Sequence, residues 1–551
     1  MSHYDVILIH PPAIYDFRKK TIFPGALGSS VEQIQFTKVP IGLLSIADYL
    51  DRNGFKVIID NLGDRMVQNP TFDVSQHITQ LDAGVFGIDL HFQHHAQGAI
   101  EIARLVKAIH PRSPVILGGL TATRFHQEII QKYKFIDAVI RGEAEKPFLD
   151  FMKAFNQNGK LPSTQNLTYR TEKNEIAVTP LKPPSQNLDE FEYTRFDLLE
   201  PKNSVYGEES RPRWSLVVGR GCIHNCVICG GSAYSYKTYL GMEKPAMRSP
   251  AKIEEDIKRL NVQGIRNIGL YQDLRMGGKK YAKELLTVLK GQTLNMDRLS
   301  LDLLAPADEE FVKGIADIGR QVIVHICPDT GCDDIRKKLG RQYSNEELLK
   351  TIQLCHKYLI PVTTFFSVGL AGEKRENVLK TLDQWANLFS LDTLTMSKTD
   401  YWELGCNIPA GGPIIGPIVL DPGSLAFDSP EKYGYKLKYK NLEEYIKGLS
   451  SPSWTQWLNY ETDLLNTDQM VALILESVEF SIDTREQYGV YNLAQAEFER
   501  LKLRADIISI NEVKRIMNIP DPEERESNLK VLKNKLESLI RKHTGLDEKK
   551  Q

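Results

Sequence analysis

Residues 219–230 have the sequence Gly219-Arg220-Gly221-Cys222-Ile223-His224-Asn225-Cys226-Val227-Ile228-Cys229-Gly230, and they follow an apolar, strand-like run at residues 214–218. The cysteines have the spacing C-x3-C-x2-C, and the flanking glycines predict a tight loop that lies close to whatever the cysteines bind. Thiolate sulfur is the usual ligand of iron–sulfur clusters, and three thiolates can bind three irons of a [4Fe–4S] cluster. The fourth iron then keeps an open coordination position, as catalytic metal centres do. Cys222, Cys226 and Cys229 are therefore predicted to be the metal ligands of a catalytic cluster.

Two other interpretations of the cysteine loop remain open. A zinc site needs a fourth ligand, and His224 lies inside the loop, where it is badly placed to complete a tetrahedron. A disulfide fits poorly with an odd set of three cysteines. The spacing, the preceding strand and the glycines together favour the cluster.

Length and composition exclude several classes of protein. The chain has 551 residues, which suggests about three domains. Its 42% hydrophobic and 25% charged residues are typical of a globular protein, and a formal net charge of −2 gives no general field for nucleic acid. No apolar run reaches membrane-spanning length, and the first residues lack the pattern of a secretory signal. Seven cysteines, three of them clustered, suit a reducing compartment, so we expect a cytoplasmic protein.

Residues 1–200 alternate between short apolar runs and helical patterns. The predicted strands are 6–9, 57–59, 84–90, 115–117 and 138–140, and the predicted helices are 40–50, 97–109 and 143–155. Near-continuous apolar strands separated by helices indicate an α/β domain with a Rossmann-like, doubly wound parallel sheet. Ligands of such sheets bind beyond the carboxyl ends of the strands. Residues 156–213 are polar and interrupted by prolines, which predicts a connector.

Residues 205–404 continue with further β/α units. After the strand at 214–218, the predicted strands are 268–271, 299–304, 322–327, 362–368 and 391–396, and the predicted helices are 250–260, 281–290, 309–318, 345–358 and 377–389. Six parallel strands with crossover helices indicate a partial (β/α)6 barrel. Barrels do their chemistry at the carboxyl ends of the strands. The polar residues at those ends are Asp273, Asp302, Asp329 and Ser367.

Residues 405–551 carry weaker signals. Residues 405–430 are rich in glycine and proline, which predicts a lid or a substrate contact over the barrel. From residue 442 onward the chain is predicted to be mostly helical, with its aromatic cluster in the core. That cluster consists of Trp454, Trp457 and Tyr460. The four cysteines outside the loop, Cys327, Cys332, Cys355 and Cys406, lack ligand spacing and are predicted to act as small apolar side chains.

The cysteine loop resembles the signature of the radical S-adenosylmethionine (SAM) enzymes, although Ile228 stands where the superfamily often has an aromatic residue. In those enzymes the open iron binds the amino and carboxylate groups of SAM, and an electron from the cluster cleaves SAM to a 5′-deoxyadenosyl radical. The first domain resembles the cobalamin-binding domain that precedes many radical SAM domains. The segments that carry this second resemblance are His10-Pro11-Pro12, Pro40-Ile41-Gly42-Leu43, Gly118-Gly119 with Thr121 and Thr123, and Gly142-Glu143-Ala144-Glu145.

These resemblances imply two sets of cofactor-binding residues. For cobalamin they are Pro11, Pro12, His91, Gly118, Gly119, Thr121, Gly142 and Glu143. For SAM they are Asp273, Asp302, Asp329 and Ser367. Glycines at 118 and 119 would let a large planar ligand lie close to the backbone. Many cobalamin domains carry D-x-H-x-x-G after the first strand, and its absence here predicts that no histidine binds cobalt.

The combined resemblance implies a cobalamin-dependent radical SAM enzyme. It would be a methyltransferase that acts on an unactivated carbon of a small molecule or peptide, through methylcobalamin and the 5′-deoxyadenosyl radical. A reductant such as a flavodoxin or ferredoxin would supply the electron. Three alternatives remain: an enzyme of cyclisation or rearrangement, a radical SAM enzyme whose first domain is empty, and a non-catalytic iron–sulfur or zinc protein that binds a partner.

Overall fold

A computed structural model describes residues 3–23, 25, 38–202, 204, 206–208, 211–291, 293–319, 321–396 and 414–544. Within these residues the protein is an α/β structure with two large, mainly parallel sheets and a helical C-terminal region. The predicted fold class is confirmed. No helix among the described residues is both long and apolar enough to cross a membrane.

The first sheet has eight strands in the order β7-β6-β5-β4-β3-β1-β2-β8. The strands are β1 Tyr4–His10, β2 Val57–Asn61, β3 Ala83–Asp89, β4 Val115–Gly118, β5 Ala138–Ile140, β6 Leu167–Arg170, β7 Ile176–Val178 and β8 Leu199–Glu200. The helices are α1 Ile41–Asp51, α2 Leu62–Gln68, α3 Val74–Gln80, α4 Ala96–Ile109, α5 Leu120–Arg124, α6 His126–Lys132 and α7 Glu145–Asn158. Strands β1 to β5 are parallel, as the near-continuous apolar runs predicted.

The segment predicted to be only a connector, residues 156–213, instead adds strands to both sheets. Strands β6 and β7 extend the first sheet in antiparallel orientation beyond β5, and β8 pairs with β2 on the opposite edge. The prediction was wrong for these strands because edge strands face solvent. The side chains of β7 are exposed or half-buried, and such a strand lacks the apolar run that marks a central strand.

The second sheet has the order β17-β16-β15-β14-β13-β10-β9, and a two-stranded ribbon of β11 and β12 lies beside it. The strands are β9 Tyr206–Glu208, β10 Arg211–Val217, β11 Gly219–Arg220, β12 Ala246–Met247, β13 Asn267–Tyr271, β14 Arg298–Leu303, β15 Val322–Asp329, β16 Val362–Val368 and β17 Ile414–Pro417. The helices are α8 Ala233–Leu240, α9 Pro250–Val262, α10 Gly278–Leu289, α11 Glu309–Ala316, α12 Asp333–Lys338, α13 Asn345–Lys357 and α14 Arg375–Met396.

The sixth parallel strand of this half-barrel is not where the sequence predicted it. Residues 391–396, predicted as a strand, are the end of helix α14, and the sixth parallel strand is β17, which pairs with β16. No glycine or proline interrupts residues 375–396, so nothing ends the helix before residue 391. Asp392 also accepts a hydrogen bond from the backbone N–H of Val362 (2.6 Å), which fixes the last turns of α14 against β16.

The C-terminal region is mostly helical, as predicted. Its elements are α15 Leu425–Asp428, β18 Tyr435–Leu437, α16 Leu442–Leu449, β19 Tyr460–Thr462, α17 Thr467–Gln487, α18 Leu493–Ile516 and α19 Pro522–Thr544. Trp454, Trp457 and Tyr460 are buried in the main core, which confirms that prediction.

Several helices begin where a short polar side chain can cap them. Ser344 at the start of α13 forms a capping box with Glu347. Asn466 and Asn492 form the same arrangement at the starts of α17 and α18. These local signals explain why the helix starts could be predicted more closely than the sheet edges.

Candidate active site

The cysteine loop lies between β11 and α8, beyond the carboxyl end of β10, and two distant segments hold it in place. The backbone N–H of Val227 donates to the carbonyl of Leu339 (2.9 Å). The N–H of Ala426 donates to the carbonyl of Val227 (2.9 Å), and the N–H of Gly230 donates to Asp421 (3.0 Å). These hydrogen bonds define the shape of the loop.

The three sulfur atoms are set up for a metal centre. Cys222, Cys226 and Cys229 are half-buried free thiols, and backbone N–H groups lie 3.3 Å from two of the sulfurs, that of His224 at Cys222 and that of Gly231 at Cys229. Burial, together with the charge of the nearby Asp421, raises the pKa of the Cys229 thiol to about 12. A coordinating metal removes such a proton outright, and N–H groups aimed at sulfur stabilise the thiolate that remains. The residues present fit an iron–sulfur cluster.

The segment Leu339-Gly340-Arg341 packs directly against the loop. A side-chain carbon on Gly340 would lie 2.4 Å from the carbonyl oxygen of Asn225, so only glycine allows this approach. Arg341 forms an ion pair with Asp329 at the end of β15. Burial raises the pKa of Cys226, and the charge of Arg341 opposes that shift. Arg341 thus places a positive charge where a thiolate is expected.

All four polar residues predicted at strand ends lie at the same edge of the half-barrel as the cysteine loop. Asp273 and Asp329 are buried, and each forms an ion pair with an arginine. Arg275 pairs with Asp273 (2.6 Å), and Arg341 pairs with Asp329. Asp302 is half-buried, and burial raises its pKa to about 6. Ser367 is half-buried on β16. Their contacts with SAM stay a prediction, with Asp302 the carboxylate least committed to another side chain.

A cavity of about 860 Å³ runs between the two sheets. From the first domain, five of the predicted cofactor-binding residues line it: His91, Gly118, Gly119, Gly142 and Glu143. From the second domain, its lining includes Val217, Gly219, Arg220, Tyr271, Ser300 and His325. Both sheets therefore face one continuous space.

Three of the residues predicted to bind cobalamin lie outside this lining, and so do the four residues predicted to bind SAM. Thr121 donates its hydroxyl to the carbonyl of His91 (3.0 Å), so it holds the loop that carries His91. Pro11 and Pro12 are buried, and the carbonyl of Pro12 lies against Gly98 of helix α4. Thr121, Pro11 and Pro12 therefore contact other parts of the first domain and do not line the cavity. Strand order alone does not tell which residues near a strand end line a cavity.

The cavity fits a large ligand with a flat ring system. Among the described residues, a side-chain carbon added at Gly42 would meet nothing within 4 Å, and one added at Gly118 would meet only the carbonyl oxygen of Ile140 (3.8 Å). Both glycines line the cavity, so any larger residue would occupy ligand space. Leu8, Ile116 and Phe148 add an apolar slot between the sheet and helices α1 and α7. Such walls suit cobalamin.

A buried group of His10, Asp89 and His95 lies behind the loop that carries His91. Asp89 is 2.9 Å from the Nδ1 of His10 and 3.4 Å from the Nδ1 of His95, and it accepts the backbone N–H of His91 (3.0 Å). Burial alone would raise the pKa of Asp89, but the two histidines hold it below its ordinary value. The group thus fixes the His91 loop with an ionised carboxylate. That no histidine binds cobalt stays a prediction.

Arg220 connects the two domains across the cavity wall. Its guanidinium pairs with Glu143 (2.7 Å) and with Glu145, which also accepts the hydroxyl of Ser45 (2.6 Å). Burial raises the pKa of Glu143, whereas Arg220 and Ser45 outweigh burial and hold the pKa of Glu145 below its ordinary value. Sequence reasoning missed this role. The available signal was an arginine inside the glycine-rich loop and two glutamates in one turn of the other domain.

The comparisons with known proteins agree with this geometry. Residues 216–384 match the radical SAM superfamily, and residues 31–151 match the B12 binding domain. An uncharacterized methyltransferase, PH0819 of Pyrococcus horikoshii, is 24% identical over 347 residues, which is 63% of this chain and 72% of that protein. The anaerobic magnesium-protoporphyrin IX monomethyl ester cyclase of Rubrivivax gelatinosus is 23% identical over 62% of this chain and 61% of its own.

A solved structure shows that the whole fold is shared. The cobalamin-dependent SAM radical enzyme OxsB, with aqua-cobalamin and SAM bound, aligns with a TM-score of 0.60 at 12% identity, over 99% of this chain and 81% of its own. The two matched domains together confirm the resemblance stated from the sequence. The chain therefore belongs to the cobalamin-dependent radical SAM enzymes, whose cofactors are a [4Fe–4S] cluster, S-adenosylmethionine and cobalamin.

Proposed function

We propose that the protein transfers a methyl group to an unactivated carbon of a small-molecule or peptide substrate. The observation that carries this proposal is the single cavity between the strand ends of the first sheet and the inner face of the half-barrel. A substrate in that space would lie between the two cofactor sites. The relation to PH0819, described as a methyltransferase, supports the choice of reaction.

The chain's own residues would divide the work. Cys222, Cys226 and Cys229 would hold the cluster, Asp302 would face the cationic SAM, and Gly42 and Gly118 would leave room for cobalamin. When bound, these groups supply a one-electron cleavage of SAM and a transferable methyl group. The backbone N–H groups of His224 and Gly231 would stabilise the thiolates. The apolar wall would exclude water, which radical chemistry requires. A reduced flavodoxin or ferredoxin would supply the electron.

A second candidate reaction is ring closure. The Rubrivivax gelatinosus relative is a cyclase, and it matches a similar share of this chain at nearly the same identity as PH0819. The two candidates share the cofactors and the cavity. They differ in whether the product gains a methyl group.

One labelling experiment separates these functions. The protein is purified without oxygen, reconstituted with iron and sulfide, loaded with hydroxocobalamin, and given reductant, a library of candidate small-molecule and peptide substrates, and SAM with a deuterated methyl group. We expect the protein to bind corrinoid in a roughly equimolar amount. The label should appear first in the extracted corrinoid and then in the product. A cyclised product without label would favour the second candidate. Full iron content with no corrinoid uptake would contradict both.

A further inference from the structure

The floor of the half-barrel carries an unusual concentration of positive charge. Arg213 of β10 and Arg298 of β14 both line the cavity, and they stand in one register row because Arg213 pairs with Asn267 of β13 and Asn267 pairs with Arg298. His325 of β15 lines the same part of the cavity. The three side chains come from three strands and face one space.

No acidic side chain neutralises this charge in the part of the chain that the structure describes. Neither Arg213 nor Arg298 forms an ion pair with a described residue. The Nε of Arg298 and the Nε2 of His325 are buried and have no hydrogen-bond partner among the described residues. Burial, together with the charges of Arg298 and Arg213, lowers the pKa of His325 to about 4, so this ring is neutral at pH 7 and keeps one N–H to donate.

The half-barrel is therefore electrostatically polarised along its strands. Arg298 is the first residue of β14. Asp302 lies four residues later on the same face of that strand, at the edge near the cysteine loop. Four residues of extended strand span roughly 13 Å. A ligand with one anionic group on the floor would reach with its other end to the edge where the cofactors are expected.

Buried donors without partners cost free energy, and binding an anion removes that cost. The guanidinium presents its donors in a fork that matches phosphate and carboxylate groups. We propose that Arg213, Arg298 and His325 form a subsite that binds a phosphate, phosphonate or carboxylate group of the substrate. This inference rests on the proposed function for its substrate. The subsite would anchor the molecule so that its reacting carbon points towards the cysteine loop.

One other source of the same chemistry is the phosphate of the nucleotide arm of cobalamin. The experiment therefore uses protein already loaded with cobalamin and cluster, so that a cofactor phosphate would occupy the floor beforehand. Pyrophosphate is titrated into this protein by calorimetry at constant ionic strength. We expect saturable binding to one site.

The variants Arg298→Met and Arg213→Met should each weaken pyrophosphate binding by roughly 10- to 100-fold, since each loses charge-assisted hydrogen bonds. Arg298→Lys should retain more binding than Arg298→Met because it keeps the charge. Arg213 is exposed, so its substitution does not endanger folding. Arg259→Met is the matched control, because Arg259 lies on the exposed side of α9 and pairs with Glu192 (2.9 Å).

Two results would overturn the proposal. One is pyrophosphate binding that is equal in wild type and both methionine variants. The other is no pyrophosphate binding to the loaded wild type together with reduced corrinoid uptake by Arg298→Met, which would assign the arginines to cobalamin. A failure of methyl transfer would leave pyrophosphate binding intact, so the two proposals can fail separately.

Discussion

The two parallel sheets of this protein use their faces differently. In the first sheet, Val6, Ile7 and Ile9 of β1 are all fully buried, because helices cover both faces. In the second sheet, β14 alternates: Leu299 and Leu301 are buried against the outer helices, whereas Arg298 and Ser300 face the lumen. A sheet covered on both faces can offer a ligand only its strand ends, whereas a half-barrel also offers its inner face.

The two sheets therefore contribute different kinds of binding surface to the cavity between them. The first sheet contributes glycines and apolar side chains, which accommodate a large ligand by leaving space. The second sheet contributes arginines and a histidine to the cavity lining, and its cysteine loop and carboxylates lie at its strand ends. Substitutions in either sheet test that separation, and the loss of a cluster ligand should have the largest effect.

Cys226→Ala should abolish SAM cleavage at the cysteine loop without affecting corrinoid binding to the first domain. Removing a direct metal ligand should reduce SAM cleavage by at least about 100-fold, because even changes in residues that only support ligands cost 10- to 100-fold. Iron content and 5′-deoxyadenosine formation measure the loss. Corrinoid uptake should be unchanged. Cys332→Ala, a half-buried cysteine outside the loop, is the control and should keep its iron. Full iron and activity in Cys226→Ala would refute the cluster assignment.

Arg220→Met should break the connection between the two sheets. It would leave Glu143 and Glu145 in a buried site without their cation, which costs about 3–5 kcal/mol when one partner of a buried pair is removed. Urea denaturation measures the loss. Arg259→Met removes a pair on the exposed side of α9 and should cost about 0–1 kcal/mol. Equal losses in the two variants would show that Arg220 does not join the domains.

Glu373→Gln should change how stability depends on pH. Glu373 is fully buried in the turn after β16, where burial raises its pKa from 4.5 to about 7. Between these values the folded state binds more protons than the unfolded state, so stability falls as pH rises through this window. The wild type should lose up to about 3 kcal/mol relative to Glu373→Gln across it.

The unfolding free energies of both proteins, measured from about pH 4.5 to about pH 7, test this expectation. Glu497→Gln, an exposed position on α18, should follow the wild type at every pH. Parallel curves for Glu373→Gln and wild type would mean that the carboxyl is already ionised across the window.

Gly42→Leu should affect only the first sheet's ligand. A leucine at residue 42 would enter open space beside the apolar slot, and overpacking typically costs about 1–3 kcal/mol. Corrinoid affinity should therefore fall roughly 10- to 100-fold, whereas iron content should not change. Asn53→Leu, just beyond the exposed end of α1, places a leucine outside the cavity and should bind corrinoid normally. Unchanged affinity in Gly42→Leu would place the corrinoid elsewhere.

Local patterns in the sequence determined the parallel β/α order, the helix caps and the cysteine loop. Each of these depends on residues within about a dozen positions of one another, so spacing and periodicity are enough to recognise them. The prediction of a strand at 391–396 was wrong for a related reason: a short apolar run looks the same in a strand and in a helix. The sixth strand, β17, is identified only in the structure, by its parallel pairing with β16.

Tertiary structure alone decided which side chains meet. Arg220 and Glu145 are 75 residues apart, and their pairing depends on how the two domains pack. Arg213, Arg298 and His325 stand on three strands, and whether an alternating polar residue points inward depends on the curvature of the whole sheet. The sequence therefore specified the cofactors through short motifs, and the fold specified the shape and charge of the space between them, because that space is bounded by residues that are close only after folding.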